Sequence, residues 1–230
     1  MTATPRISVI IPAHNEENYL DRPLKSLASQ SFRDFETIVV ADACTDQTIA
    51  VAKQCPCRII EVQNRSIGAN RNAGAKEAKS QILVFLDADV RVSDRYLEQV
   101  AAAAAKGHTC GRPRYFFDSR DLIIRNYMML HNLFRLPYYP HSYFVTKEVF
   151  TASGGYKEAM NNWEDLEFSD RVSKLGKTCM IEAKAWNSDR RFSRSGFWHH
   201  FLYEIYSPLR YLISYKLLRI KTTTDYPVVR

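Results

Sequence analysis

The sequence predicts an α/β fold, with a mostly parallel central sheet flanked by helices and a helical C-terminal tail. Three observations carry this. Short β-branched apolar runs alternate with segments of helical period over the first hundred residues, the signature of βαβ units. Three of the first four runs end in polar clusters, Asn15 with Glu16, Asp42 with Asp46, and Asp87 with Asp89. Ligands of such sheets bind beyond the carboxyl ends of the strands, so these clusters should converge on one rim. The chain has 230 residues, 46% of them apolar, enough for one large domain with a real core.

The elements follow in order. "RISVIIPAHNEE" predicts a buried strand ending at Pro12 and then a loop. "NYLDRPLKSLASQS" spaces Leu20, Leu24 and Leu27 on one helical face, with Pro23 in the first turn. "FETIVVADACTD" predicts a second strand, "TDQTIAVAKQC" a helix and "CRIIEVQN" a third strand. "GANRNAGAKEAKS" predicts a small-residue helix starting near a glycine. "QILVFLDAD" is the fourth strand, and "VSDRYLEQVAAAAAK" a helix capped by Ser93 or Asp94. After Gly107 the alternation weakens. "DLIIRNYMMLHNLF" has helical spacing, and "SYFVTKEVFTASGGY" suggests strand, helix and a Gly-Gly turn. "NWEDLEFSDRVSKLG" predicts a helix closed by Gly176, and "KTCMIEAKAW" a strand.

Composition excludes several classes. Five cysteines, with Cys55 and Cys57 in "CPC" and no second pair, argue against a zinc site and for reduced thiols in a cytoplasmic protein. "MTATPR" lacks the apolar core of a secretion signal. Nor is any uncharged apolar run long enough for a membrane span. A dinucleotide-dependent oxidoreductase would need G-x-G-x-x-G after the first strand, and "IPAHNEE" has no glycine. A nucleotidyltransferase would usually show a Gly-rich loop there, also missing.

Asp87-Ala88-Asp89 suggests chemistry directly. Two carboxylates beyond a buried strand repel unless a cation or solvent separates them. Mg2+ or Mn2+ takes one or two carboxylates plus substrate phosphate oxygens, so the pair suggests a metal–diphosphate site. The bland alternative is a turn in which Asp89 merely caps. The other motifs tilt the balance. "VIIPAHNEE", "VADACTDQT", "GANRNAG", "VFLDADV" and "NWEDLEF" stand in the order and context seen in family-2 glycosyltransferases. The chain resembles that family from Ile7 to Arg194. Each motif is loose, but five in order are specific.

The resemblance implies a GT-A fold, Rossmann-like, and inverting transfer of a sugar from a nucleotide diphosphate donor. It implies a metal held by Asp89, with Asp87 acting through the ribose or a water, and Ala88 between them at the donor. It places Pro12, Ala13 and Glu16 around base and ribose, with Asp42 accepting from the base. Arg71 matches the family's basic residue facing the donor, and Gly68 and Gly74 would let its helix pack close. Glu164 and Asp165, adjacent and ~100° apart on a helix, cannot share one face. By the family's pattern Asp165 is the base that deprotonates the acceptor, and Glu164 caps or orients. "SDRRFSRSG" offers Arg191 and Arg194 as phosphate clamps, or else is a solvated basic loop. No Trp follows the second Arg, unlike processive members of the family. His141, His199 and His200 are weak metal-ligand candidates. The rival reading is a catalytically degenerate nucleotide-sugar-binding or scaffold protein.

These readings divide the chain into a glycosyltransferase domain over 1–196 and a tail over 197–230. Within the domain, 1–106 is the nucleotide-sugar half and 107–196 the acceptor half. The formal charge is +7, and from Lys184 onward nine Lys/Arg face three Asp/Glu. In the tail, Trp198, Phe201, Leu202, Ile205, Leu209 and Leu212 fall at helical spacing among basic residues and tyrosines, with Pro208 dividing two helices. A basic, aromatic amphipathic segment suits a membrane interface. Docking on the inner face of the membrane, packing on the domain itself and pairing with a second copy all stay open. Nucleic acid is not an expected partner, because the donor site makes a carbohydrate or lipid-linked acceptor the better fit.

Overall fold

The computed structural model describes residues 4–125, 142–160 and 163–190, with the single positions 132, 192, 198, 211, 213 and 217. Four parallel strands form the first half of the sheet: β1 (Ile7–Ala13), β2 (Phe35–Asp42), β3 (Arg58–Val62) and β4 (Ile82–Leu86). They are joined by α1 (Asp21–Ala28), α2 (Thr48–Ala52) and α3 (Ile67–Glu77). Then follow β5 (Arg91–Val92), α4 (Tyr96–Ala105), β6 (Cys110–Asp118), β7 (Ser142–Thr146), α5 (Lys147–Ala152), α6 (Glu164–Val172) and β8 (Thr178–Ser188). The eight strands make one sheet in the order β3-β2-β1-β4-β7-β6-β8-β5. β7 runs antiparallel to β4 and β6, whereas β6 and β8 are parallel.

The central strands are buried on both faces, which is why they read as near-continuous apolar runs. Ile7, Val9 and Ile11 face a core shared with α1 and α4, including Leu24, Leu27, Tyr96 and Leu97. Ile10, Ile38, Val40 and Phe85 face a second core with α3 and α6, including Ala75, Phe168 and Val172. In register, Ala13 lies opposite Ala41 and Ile10 opposite Phe85. The polar residues after β1, β2 and β4 therefore leave the sheet at one rim, as the sequence predicts.

Several expectations need correction. Neither Ser93 nor Asp94 caps α4 by its side chain, because the cap position is Arg95. Gln30 Oε1 accepts from the Leu97 N–H instead (2.9 Å), a cap supplied by the chain just after α1. α3 begins at Ile67 with Ser66 as cap, its hydroxyl accepting from Ala69 N. α6 ends at Val172, with Ser173 as its cap, rather than at Gly176. Gly176 passes so close to Thr109 that a Cβ would fall 1.9 Å from its Oγ1. β6 was not legible in the sequence. It carries Pro113, and its pairing with β8 shifts register between Arg112 and Arg114, the place where a strand tolerates proline.

Of the two glycines expected to allow close packing of α3, Gly74 does so. A Cβ there would lie 2.3 Å from Ile10 Cγ2 and 3.1 Å from Val40 Cγ2, whereas at Gly68 the nearest atoms are 3.4 Å away. Gly74→Ala should cost about 1–3 kcal/mol, the usual scale of overpacking, read as a lowered urea midpoint. Gly68→Ala should be close to neutral in the same assay.

Candidate active site

The loops after β1 and β2 are laced together before any ligand enters. Asn15, at φ 53°, accepts from Thr45 N through its Oδ1 (2.8 Å). Glu16 N donates to Thr48 Oγ1 (2.7 Å), and Gln47 N donates to Glu17 Oε2 (2.9 Å). Asp46 accepts from Thr48 N and Glu17 N. Asn15 and Asp46 thus build the rim, while Glu16 is turned towards the rim's other acids. Pro12 and Ala13 lie buried at the end of β1.

Asp42 closes β2 and is 2% exposed. One oxygen accepts from Arg65 N (3.1 Å) and the other from Asn70 Nδ2 (2.9 Å). It fixes the entry to α3, and the lone pairs left on each oxygen remain for a further donor. Asn70 is a polar contributor that sequence reasoning missed; an amide inside a small-residue helix was the available signal.

α3 directs Arg71 into the protein. Its guanidinium donates to Asp87 Oδ1 (2.9 Å) and Glu164 Oε1 (3.2 Å) and lies 5.1 Å from the Tyr156 ring centroid. The side chain is 3% exposed. Burial opposes its charge, but Tyr156, Asp87, Glu164 and Asp165 outweigh that, so its affinity for the proton is raised. One side chain thereby ties an acid after β4 to an acid at the start of α6. Beneath it, Tyr156 stacks on Phe168 at 4.2 Å, and Phe168 packs against Tyr143 and Phe150.

The start of α6 separates the two adjacent acids. Trp163 precedes it with φ 61°, a left-handed conformation rare for a bulky residue. Glu164 turns inward to Arg71, while Asp165 is half-buried and accepts from Leu166 N (2.8 Å). Burial first, and the charge of Asp165 second, push Glu164 up to about 7 against the pull of Arg71. Further along the helix, Glu167 is clamped by Arg171 and Lys157, which holds the turn in place.

The rim's second cation is Arg190, two residues past β8, which sequence reasoning passed over in favour of Arg191 and Arg194. It forks onto Glu16 at 2.6 and 2.9 Å. Its Nε stands 3.1 Å from Asp89 Oδ2, and its guanidinium lies 4.6 Å from the Tyr19 ring centroid. Glu16 is raised by burial, with Asp89 and Asp87 adding to the effect and Arg190 opposing it. Glu16, Asp87 and Asp89 therefore form one electronegative group. Among the described residues no three His, Cys, Asp or Glu side chains form a ready-made metal cage. Mg2+ and Mn2+ bind through one or two carboxylates and take their other oxygens from substrate and water. The oxygens of Asp89 and Asp87 fit that chemistry. Arg191, Arg194, His141, His199 and His200 lie outside the described residues.

A cavity of about 550 Å³ opens beside this rim, lined by Asp118, Arg120, Asp121, Asp189 and Phe192 among others. It lies at the ends of β6 and β8, next in sequence to Arg190.

With that geometry in place, comparison with known proteins settles the family. The model of Glycosyl transferase family 2 matches residues 8–167. The chain belongs to glycosyltransferase family 2. Poly(ribitol-phosphate) β-N-acetylglucosaminyltransferase TarS of Staphylococcus aureus is 31% identical over 112 residues, covering 45% of this chain and 20% of TarS. The TarS 1–349 structure in complex with UDP-GlcNAc superposes with a TM-score of 0.67 at 20% identity, over 80% of this chain and 58% of that one. The mannosyltransferase PcManGT of Pyrobaculum calidifontis, in complex with GDP-Man and Mn2+, gives 0.73 at 17% identity, over 97% and 67%. The fold is GT-A. The match spans about a fifth of the length of TarS.

The pH dependence of stability follows from Glu164. Its carboxyl is raised to about 7 in the folded protein, so its contribution is present below the unfolded value near 4.5 and is lost as pH rises through about 7. Glu164→Gln removes this loss. The stability difference should shift in the variant's favour as pH rises from 5 to 8, read from urea unfolding of both proteins at each pH.

Proposed function

We propose that this family-2 protein is an inverting glycosyltransferase that moves a sugar from a nucleotide diphosphate donor, a UDP-sugar, to an acceptor hydroxyl. The observation that carries the reading is the convergence of Glu16, Asp87, Asp89 and the Glu164–Asp165 pair on one rim, paired among the described residues with Arg71 and Arg190. That excess of negative charge suits a site that receives a divalent cation with a diphosphate. The solved complexes of proteins of the same fold, TarS with UDP-GlcNAc and PcManGT with GDP-Man and Mn2+, support the donor class and Mg2+ or Mn2+.

In this reading Pro12 and Ala13 border the base and ribose, Asp42 accepts from the base, and Glu16 faces the ribose. Asp89 holds the ion, assisted by Asp87 with Ala88 between them. When bound, the ion supplies Lewis-acid neutralisation of the departing diphosphate. Arg71 keeps Asp87 and Glu164 apart and oriented. Asp165, half-buried on the first turn of α6, takes the proton from the acceptor hydroxyl as it attacks opposite the leaving group. The cavity beside Asp189 sets charged and hydroxyl side chains against the apolar Ile124 and Phe192, and suits an acceptor with hydroxyls and an apolar face.

We also infer a lipid-linked acceptor reached at a membrane surface. The described tail residues divide two ways. Tyr211 is buried against Trp163, whereas Trp198, Ile213 and Leu217 are 71%, 43% and 76% exposed. No described helix is long and apolar enough to cross a membrane. The other residues expected on the apolar face of the tail, Phe201, Leu202, Ile205, Leu209 and Leu212, lie outside the described residues. Full-length protein should sediment with anionic liposomes at low salt and be released at high salt. Protein that stays in solution at low salt would argue for a tail that only packs on the domain or on a second copy.

Asp165→Asn should lower turnover by ~10²-fold or more, the scale for loss of a general base, with donor affinity little changed, in a nucleotide-release assay. If Glu164→Gln is the inactive variant and Asp165→Asn is not, the two roles are exchanged. Donor binding without any release or transfer in the parent would point to a catalytically degenerate sugar-nucleotide-binding protein.

A further inference from the structure

The two rim arginines are held differently. Arg71 lies on a helix, is 3% exposed, and donates a hydrogen bond to each of its two acids. Arg190 follows the last strand and is 17% exposed. It donates a bidentate fork to Glu16, but its contact with Asp89 is of another kind. Nε is close enough for an ion pair at 3.1 Å, yet it is buried and finds no hydrogen-bond acceptor. The guanidinium thus neutralises Asp89 by proximity, without the directed bond that would make the pairing strong. It also stands against one of the carboxylates to which the reading above assigns the cation.

We propose that Arg190 is a resident counter-cation of the donor site, which must leave Asp89 before a divalent ion can bind there, so that metal binding is coupled to donor binding. The proposal rests on the metal–diphosphate reading and adds to it a named residue and an order of events.

In the absence of nucleotide, Glu16, Asp87 and Asp89 repel one another, and Arg190 relieves that repulsion. A divalent ion arriving alone meets a positive group about 3 Å from its ligand oxygen, where charges interact strongly even at a protein-like dielectric. It gains few ligands in exchange, because Asp87 is already engaged by Arg71. A nucleotide diphosphate changes both sides of the balance. It brings oxygens that complete the ion's coordination, and it brings negative charge to which a displaced guanidinium can turn. The ion is then bound well only with the nucleotide. By linkage the nucleotide is bound better with the ion, by the same factor. Arg190 is a positioning residue in this scheme. It sets when the site accepts a cation and takes no proton.

The test is Mn2+ binding to the full chain, read from the electron paramagnetic resonance signal of free Mn2+, with and without UDP. The parent should bind Mn2+ weakly alone and about 10-fold or more tighter with UDP, within the range of ordinary site-to-site coupling. Arg190→Gln should bind Mn2+ alone about 10-fold tighter than the parent, and UDP should tighten it further by a smaller factor than in the parent. Arg190→Lys, which keeps the charge, should behave like the parent. Adding Asp89→Asn to Arg190→Gln should abolish the gain, which locates the ion. If Arg190→Gln binds Mn2+ alone no better than the parent, while UDP tightens Mn2+ equally in both, the proposal is overturned and the metal–diphosphate reading stands. If UDP fails to recruit Mn2+ to any of these proteins, the reading and the proposal fall together.

Discussion

The buried guanidinium of Arg71 is the constraint on which the site depends. It is almost inaccessible, lies against Tyr156, and bonds to Asp87 from the strand half and Glu164 from the helix half. A buried charge is tolerated only when it is paired and hydrogen-bonded. Asp87 and Glu164 are therefore where they are because Arg71 must be satisfied, and Arg71 is where it is because α3 packs tightly on β1 through Gly74. The geometry between the rim beyond β1, β2 and β4 and the start of α6 follows from that chain of contacts. Removing one partner of such a buried cluster is expected to cost several kcal/mol, more than a typical surface pair contributes.

The same cluster assigns different duties to neighbouring acids. Glu164 is drawn inward and made hard to ionise, while Asp165, one residue on, keeps a half-buried carboxyl. The left-handed Trp163 sets the turn that separates them, and the Glu167–Arg171–Lys157 clamp holds the following turn. At the other edge, Arg190 supplies a second, more accessible cation to Glu16 and Asp89. Five acids and two arginines of unequal fixity make a site that is braced on one side and exchangeable on the other.

The strand half was legible because its strands are buried on both faces, and burial leaves a plain mark in composition. Ile7–Ala13, Phe35–Asp42 and Ile82–Leu86 all stand where the apolar runs predict. Their terminal acids were legible too, since a charged residue at the end of a buried run has few structural reasons to be there. β6 was hidden because Pro113 and three arginines, 112, 114 and 120, break the apolar pattern around it; its stability comes from β8, more than sixty residues away. Helix caps were misassigned for a similar reason. The acceptor at α4 is Gln30, distant in sequence, and local spacing cannot reveal it. Arg190 escaped notice because its role depends on the return of β8 to the rim beside β1, a tertiary fact. The adjacent Arg191 and Arg194 had only a family pattern in their favour.

The central claim is that the acid-lined rim beyond β1, β2 and β4 is a nucleotide diphosphate site. A crystal structure of the protein with UDP and Mn2+ tests it most directly. The account predicts the base against Pro12, Ala13 and Asp42, the ion on Asp89, and Arg190 moved off that carboxylate. Nucleotide bound instead in the cavity beside Asp118 and Phe192, with the rim acids still paired to Arg71 and Arg190, would contradict it.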